Sequence, residues 1–135
     1  MPRRKPNIEI ANYGRYTAWN KTSREMPKLL KYTSTIEAVD GNEFGVIINV
    51  DNLKGEILGF IIKHPPIRNK NGNLLPQFKG ELHVNSNHTQ FFVGDGIWLP
   101  IEDKIGEWEV IILHKNKQVV SKKFNIVDVN TPLQE

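Results

Sequence analysis

The stretch from Gly106 to Val127 constrains the fold of this chain most, because it predicts two β-strands joined by a tight turn. In its first arm, successive residues alternate between two faces with the period of two that a strand imposes. One face carries Trp108, Val110 and Ile112, and the other carries Glu109, Ile111 and Leu113. Polar residues 114–118 then interrupt the apolar run, and Asn116 among them tolerates the left-handed backbone of a hairpin turn.

The second arm of this hairpin places Val120, Phe124 and Ile126 on one face. Lys122 shares that face, which predicts that its aliphatic stem lies along a sheet edge while its ammonium group reaches water. The first arm is apolar on both faces from Val110 onward, as is typical of a central strand. An isolated hairpin does not bury such faces, so the rest of the chain must supply a second layer.

The length and composition of the chain fit one domain with one core, since 39% of its 135 residues are hydrophobic. No apolar run is long enough to cross a membrane, and the basic start lacks the apolar stretch of a secretory signal, so we expect a cytoplasmic protein. The chain has no cysteine, which excludes disulfides, thiolate nucleophiles and thiolate zinc sites.

The positive charge is concentrated at the N-terminus. Residues 1–35 carry eight Lys or Arg against two Glu, a balance of +6, so the remaining residues carry −3 of the total of +3. We divide the chain into a basic arm over residues 1–6, a domain over residues 7–128 and a tail over residues 129–135. A basic arm can bind nucleic acid, but this arm lacks stacking aromatic residues and glycine-arginine repeats, so we expect it to be a solvated segment.

Further strands are predicted wherever apolar and β-branched residues alternate between turn signals. Asn20–Leu30 is predicted to be a loop, and the prolines of His64-Pro65-Pro66 end a strand because they donate no ladder hydrogen bond. The stretches Phe44–Val50 and Glu56–Lys63 are predicted to pair as a second central hairpin. The predicted strands outside the opening hairpin are Asn7–Trp19 with a bend at Gly14, Lys31–Val39, Phe44–Val50, Glu56–Lys63, Glu81–Val84 and Thr89–Val93.

Seven or eight short strands without a long amphipathic helix predict an all-β fold, an antiparallel β-sandwich. An up-and-down barrel is the structural alternative.

Several short motifs resemble a bacterial family known only as domain of unknown function 3859, over most of the chain from about Ile8. The motifs are Ile8-Glu9-Ile10, Tyr13-Gly14-Arg15-Tyr16, Gly41, Phe44-Gly45, His64-Pro65-Pro66, Trp98, Gly106-Glu107-Trp108 and Phe124-Asn125-Ile126-Val127. The resemblance implies an immunoglobulin-like sandwich. It implies no activity, because it brings no catalytic or binding residues with it.

No catalytic constellation is recognisable in the sequence. The glycine-flanked serine elbow, the phosphate-binding loops and the His-Glu-x-x-His motif are all absent from the sequence. Carboxylates fall in predicted turns, where hydrogen bonds to the backbone are their usual role; they are Asp40, Glu43, Asp95, Glu102 and Asp103. We therefore expect a protein that is not an enzyme and has no cofactor.

A metal site is the sharpest chemical hypothesis. Glu81 and His83 share a strand face, and if residues 85–87 form a hairpin turn, His88 lies across from His83. Imidazoles and a carboxylate suit zinc or copper. The spacing matches no recognised ligand motif, so these three residues are only weak candidates.

Exposed aromatic residues offer a second kind of site. Trp98 follows Asp95-Gly96 and is the tryptophan that we expect to be partly exposed, whereas Trp108 is expected in the core. Trp19, Trp98, Trp108 and the Tyr13/Tyr16 pair offer flat rings for a sugar platform, although the core position is favoured for Trp108. Trp98, Asp95, His64 and Arg68 together are our candidates for a ligand or partner surface.

The function that we expect is a non-enzymatic binding or protein-interaction module, with a protein as the partner. Capture would occur along an exposed strand edge or at the loops Ile67–Lys79 and Gly94–Ile105. This expectation rests on analogy with the fold class. The alternatives are a protein that binds a small ligand or metal, and nucleic-acid binding through the basic arm.

Overall fold

The computed structural model describes residues 5–18 and 25–129. These residues form nine strands, namely β1 Asn7–Tyr16, β2 Leu29–Lys31, β3 Thr35–Glu37, β4 Glu43–Asp51, β5 Ile57–Lys63, β6 Phe78–His83, β7 His88–Gly96, β8 Gly106–His114 and β9 Lys117–Val127. A three-residue 3₁₀ helix at Glu102–Lys104 precedes β8. Within the described ranges no helix has the length and apolar character needed to cross a membrane.

The strands form two sheets that pack as a sandwich. The first sheet has the order β2-β1-β4-β7, and the second has the order β3-β9-β8-β5-β6. All neighbouring strands are antiparallel except β3 and β9, which are parallel. The predicted antiparallel sandwich is confirmed.

The number of strands differs from the seven or eight predicted, because the expected strand Lys31–Val39 is two short strands. β2 ends at Lys31 in the first sheet, and β3 begins at Thr35 in the second. Between them the Thr33 hydroxyl donates to the Thr35 carbonyl and accepts from the Thr35 N–H at 3.0 Å. Such local side-chain bonds compete with the sheet ladder and allow the chain to change sheets here. β2 also begins inside the predicted loop Asn20–Leu30, of which residues 20–24 lie outside the described residues.

The predicted hairpin of Phe44–Val50 with Glu56–Lys63 is wrong, because β4 and β5 lie in different sheets. The connection between them carries the chain from the first sheet to the second. Asn52 N–H donates to the Asn87 carbonyl and Gly55 N–H donates to the Val84 carbonyl, both at 2.8 Å. The β4–β5 and β6–β7 connections are therefore bonded to each other where both cross between the sheets.

The hairpin of β8 and β9 is confirmed, with Trp108 directly opposite Phe124. Lys115 and Asn116 both have positive φ, at 53° and 63°, which is the geometry that a two-residue hairpin turn requires. β3 pairs only with the end of β9, from Asn125 onward. Lys122 precedes that pairing, and its Nζ lies 4.0 Å from the centroid of the Tyr13 ring.

An aromatic contact joins the two sheets at the centre of the core. Phe44 of β4 meets Trp108 edge to face with ring centroids 5.2 Å apart, and it meets Phe124 at 5.4 Å. All three side chains are fully buried, as was predicted for Trp108. Edge-to-face pairs contribute stability beyond the area that they bury.

A smaller apolar cluster covers the outer face of the first sheet. Tyr16, Ile47 and Phe92 form it, and Met26 and Leu29 pack against it. The Tyr16 hydroxyl donates to Asn12 Oδ1 at 2.6 Å. Burial raises the pKa of the Tyr16 phenol well above its usual range.

Replacing Phe44 by Ala should lower the free energy of unfolding by about 3–5 kcal/mol, since it removes a buried ring that both sheets contact. Urea denaturation measures this change. Val119→Ala is the control, because Val119 is 43% exposed and should change stability by less than about 0.5 kcal/mol. Equal losses from the two variants would contradict the central role of the aromatic contact.

Candidate interaction surface

A cleft opens between the sheets on the side where β6 and β7 are the edge strands. Its volume is about 480 Å³, within the range of protein binding sites. Both edge strands line it, together with side chains of β4 and β5. The lining residues are Glu43, Phe60, Ile62, Phe78, Lys79, Glu81, Leu82, Phe92, Val93, Gly94, Asp95 and Gly96.

Glycines on the edge strands help to shape this cleft. Gly80 lies opposite Phe60 in the β5–β6 ladder, and a Cβ on Gly80 would lie 2.4 Å from Phe60 Cζ. The phenyl ring therefore occupies the place that a side chain on β6 would take. On β7, a Cβ on Gly94 would lie 2.0 Å from the Phe44 carbonyl oxygen, so only glycine fits there.

The charged residues of the cleft are mainly acidic. Glu43, Glu81 and Asp95 stand against Lys79, which gives a formal charge of −2. Glu43 lies at the Gly96 end of β7, where a Cβ on Gly96 would be 3.1 Å from Glu43 Oε1. Asp95 is at the same end. The negative charge therefore lies beside an apolar wall of phenylalanines and leucine.

The outer backbone edge of β7 borders this cleft, and the ladder with β4 determines which groups it presents. Ile97 N–H donates to the Asn42 carbonyl beyond one end of β7, and Asn52 N–H donates to the Asn87 carbonyl beyond the other. The pairs Asn42–Ile97 and Asn52–Asn87 therefore continue the β4–β7 ladder in the same register at its two ends. Because bonded and non-bonded pairs alternate in an antiparallel ladder, the backbone groups of even-numbered residues such as Gln90 and Gly94 face away from β4.

Local hydrogen bonds close the two ends of that edge. At one end His88 N–H donates to Ser86 Oγ at 3.2 Å, and at the other Gly96 N–H donates to Asp95 Oδ1 at 2.8 Å. In the middle, the N–H groups of Gln90 and Gly94 have no hydrogen-bond partner within the described part of the chain. Unpaired groups of this kind are a template for an added strand.

Two of the four residues predicted to form a partner surface lie at or near the cleft. Asp95 lines it. Trp98 is half-buried and packs against the core, with its ring centroid 6.3 Å from that of Phe78, which is a lining residue. The sugar platform is not assembled: Tyr13 packs on the inner face of β1, Tyr16 lies on the outer face, and Trp19 lies outside the described residues.

His64 is not a surface residue, contrary to its place among the candidates. It is only 8% exposed, and its ring lies 4.5 Å from Phe78 and 5.7 Å from Trp108, measured between centroids. Its Nδ1 is 2.6 Å from the Pro65 carbonyl oxygen, and its Nε2 is 2.8 Å from that of Pro76. The ring thus joins the proline turn to the loop that contains Pro76.

Arg68 belongs to the loop after this turn and does not line the cleft. Its guanidinium is exposed and donates to the Gly72 carbonyl at 2.7 Å, across a tight turn closed by the side chain of Asn69. Arg68 therefore stabilises its own loop. It does not join Asp95 in the lining of the cleft.

The geometry behind the metal hypothesis is wrong. β6 and β7 are in different sheets, so residues 85–87 form a crossing connection, and His83 lies opposite Ile57 rather than His88. His83 Nε2 is 3.8 Å from Glu81 Oε1, with both side chains exposed, while His88 Nδ1 is 3.0 Å from Asp51 Oδ1. Across residues 5–18 and 25–129 no group of three His, Asp or Glu could hold a metal ion.

Sequence reasoning missed Glu43, Phe60 and Gly80 as residues of the candidate surface. Glu43 and Asp95 were expected in turns but lie within β4 and β7. The signal that could have suggested this edge is the glycine content of β6 and β7. These glycines indicate a binding edge only when β6 and β7 are known to be edge strands of different sheets.

Lys104 is a buried lysine that contacts the Trp98 ring, and the sequence did not predict this. Its side chain is 1% exposed, and its Nζ lies 2.8 Å from the Pro100 carbonyl oxygen and 2.7 Å from Asp103 Oδ1. The same ammonium is 4.3 Å from the centroid of the Trp98 ring. Its backbone carbonyl accepts a hydrogen bond from Trp108 Nε1 at 2.8 Å. Lys104 therefore fixes the connection between β7 and β8, residues 97–105, to the core.

Comparisons with known proteins agree with this architecture. Residues 4–126 match the family described as Domain of unknown function (DUF3859). Among solved structures, an immunoglobulin-like protein from Pseudomonas aeruginosa superimposes with a TM-score of 0.75 at 16% identity, covering 93% of this chain and 98% of that one. At that identity the likeness shows the fold alone. A search of the curated proteins finds no match.

Replacing Lys104 by Met should lower the free energy of unfolding by about 3 kcal/mol, because it leaves Asp103 and the Pro100 carbonyl without their buried cation. Chemical denaturation followed by tryptophan fluorescence measures the loss.

Lys63→Met is the matched control, since Lys63 is exposed at the end of β5 and should change stability by less than about 0.5 kcal/mol. A Lys104 variant as stable as this control would show that the buried ammonium does not hold the loop.

Proposed function

The chain belongs to the family of the domain of unknown function DUF3859, and from this premise and the geometry of the cleft we propose that it is a non-enzymatic protein-interaction module. It captures an extended segment of a protein partner as an added strand along the outer edge of β7. The observation that carries the proposal is the pair of outward N–H groups of Gln90 and Gly94, which lie beside an open apolar cleft and have no hydrogen-bond partner among the described residues.

An added strand would use both parts of this surface. Its backbone would pair with the outward N–H and carbonyl groups of β7, which provide affinity regardless of sequence. Alternate side chains of the segment would point toward the cleft, where Phe60, Phe78 and Leu82 provide apolar contacts. This division of roles is the usual one in β-strand addition.

The length of β7 also supports this mode of binding. Its nine residues make it the longest edge strand within the described ranges, because β2 and β3 have three residues each and β6 has six. Natural sheets shorten or cover exposed edges to avoid unwanted pairing. A long edge whose two ends are closed by local hydrogen bonds suits the capture of a strand of moderate length.

The non-enzymatic part of the proposal is supported by the contacts of three of the four histidines. His64 lies between two carbonyls, His88 pairs with Asp51, and His114 Nε2 is 3.1 Å from Glu56 Oε1. Each is thus occupied in a contact that stabilises a turn or a strand end, and none of the three lines the cleft. The cleft contributes carboxylates, one lysine and apolar side chains.

The proposal is tested with a displayed library of extended peptides, selected against the intact protein. We expect the selected peptides to protect the amides of β7 from hydrogen exchange. Replacing Gln90 by Pro removes an outward N–H and places a ring on the edge, so it should weaken binding at least about tenfold, the equivalent of one or two lost hydrogen bonds.

Gln90→Thr is the matched control, because it loses the same side chain but keeps the backbone N–H, and it should bind as the unaltered protein does. Far-UV circular dichroism and melting temperature confirm that both variants are folded. Equal binding by the Pro and Thr variants, or protection confined to another surface, would overturn capture at this edge.

A further inference from the structure

The opposite side of the sandwich has a second cleft of different chemistry. It lies where β2 and β3 are the edge strands, and its volume is about 310 Å³, at the lower end of the range for small-molecule sites. Its lining is mostly polar and consists of Arg15, Lys31, Thr33, Thr35, Ile36, Glu37, Val39 and Asn42.

Two cations of this cleft lie directly opposite each other. Arg15 of β1 and Lys31 of β2 are register partners in the antiparallel ladder, and both line the cleft. Directly opposed residues on one face of a sheet have Cβ atoms about 5 Å apart, and like charges at that distance destabilise the pair. The fold therefore tolerates an unfavourable contact at this position.

A close approach of the two strands enforces this juxtaposition. Gly14, next to Arg15, has φ of +142°, and a Cβ there would lie 2.0 Å from the Lys31 carbonyl oxygen. Any other residue at position 14 would push β2 away from β1. The absence of a Cβ at Gly14 thus allows β2 to lie close to β1, with Lys31 opposite Arg15.

Neither cation forms an ion pair with a residue in the described ranges. Arg15 is half-buried, yet its guanidinium has no hydrogen bond or ion pair with any described residue, and the same holds for the Lys31 ammonium. Glu37 lines the cleft but lies more than 4.0 Å, the limit for an ion pair, from both. The formal charge of the lining is +1, from two cations and one carboxylate.

We propose that this cleft binds a small molecule through an oxyanion group, a phosphate, sulfate or carboxylate, held between Arg15 and Lys31. A guanidinium offers two parallel N–H donors to such a group, and the ammonium adds a point charge from the facing strand. The Thr35 side chain adds a hydroxyl to the same wall. The site is separate from the edge of β7, so its existence does not depend on the proposed function.

The test is a titration of the whole protein with inorganic phosphate and with citrate, at an ionic strength held constant with chloride. We expect saturable binding by calorimetry and a rise in melting temperature, since an anion that binds only the folded state stabilises it. Arg15→Gln and Lys31→Gln should each weaken binding about tenfold to a hundredfold, the loss expected for a charge-assisted hydrogen bond.

A second readout separates binding from a structural role. Without phosphate and at low salt, Lys31→Gln should melt at the same temperature as the unaltered protein or higher, because it relieves the like-charge contact. Lys70→Gln is the matched control: Lys70 is exposed in a distant loop, and its removal changes net charge equally. This control should bind phosphate as the unaltered protein does.

Three results would overturn the proposal. A rise in melting temperature that chloride alone reproduces in full would mean simple screening of charge. Lys31→Gln should fold, because Lys31 is exposed. If this variant binds phosphate as tightly as the unaltered protein does, the site is excluded. A shift with a short single-stranded oligonucleotide but with neither free anion would assign the phosphate recognition to nucleic acid instead.

Discussion

The contact of Phe44 with Trp108 and Phe124 is the interaction on which the rest of the structure depends. It is made by one ring from the first sheet and two from the second, and all three are fully buried. Trp108 is also held by a hydrogen bond, because its indole N–H donates to the Lys104 carbonyl. The buried Lys104 ammonium in turn lies under Trp98. One aromatic cluster thus determines both the separation of the sheets and the position of the connection between β7 and β8, residues 97–105.

Two crossing connections determine which strands become edges. The segments 52–55 and 84–87 are bonded to each other through Asn52 with Asn87 and through Gly55 with Val84. Each connection carries the chain from one sheet to the other, so β5 cannot pair with β4, and β6 cannot pair with β7. As a consequence β6 and β7 face each other across the open side of the sandwich. The candidate interaction surface follows from this arrangement more than from any individual side chain.

The sequence predicted well whatever depends on neighbours along the chain. The hairpin of β8 and β9, with Asn116 in its turn, needed only the alternation of apolar residues and one turn signal. The wrong hairpin, Phe44–Val50 with Glu56–Lys63, had equally good alternation. A strand pattern specifies which face is buried but not which sheet the strand joins. His83 and His88 were misplaced for the same reason, since a short connection can either close a hairpin or cross between layers. Lys104 was missed because lysine is almost never fully buried unless it is paired.

The two open sides of the sandwich have opposite chemistry, and this follows from the strands that border them. On the β6/β7 side, long edge strands with glycines border an apolar, acidic cleft. On the β2/β3 side, strands of three residues each border a polar, basic one. Short edges offer few backbone groups for pairing, so recognition there must rely on side chains, and Arg15 and Lys31 are the charged donors available. A long edge can instead bind through its backbone, which makes recognition less dependent on particular side chains. A sandwich of this kind can therefore hold a protein strand on one side and a small anion on the other, and neither site blocks the other.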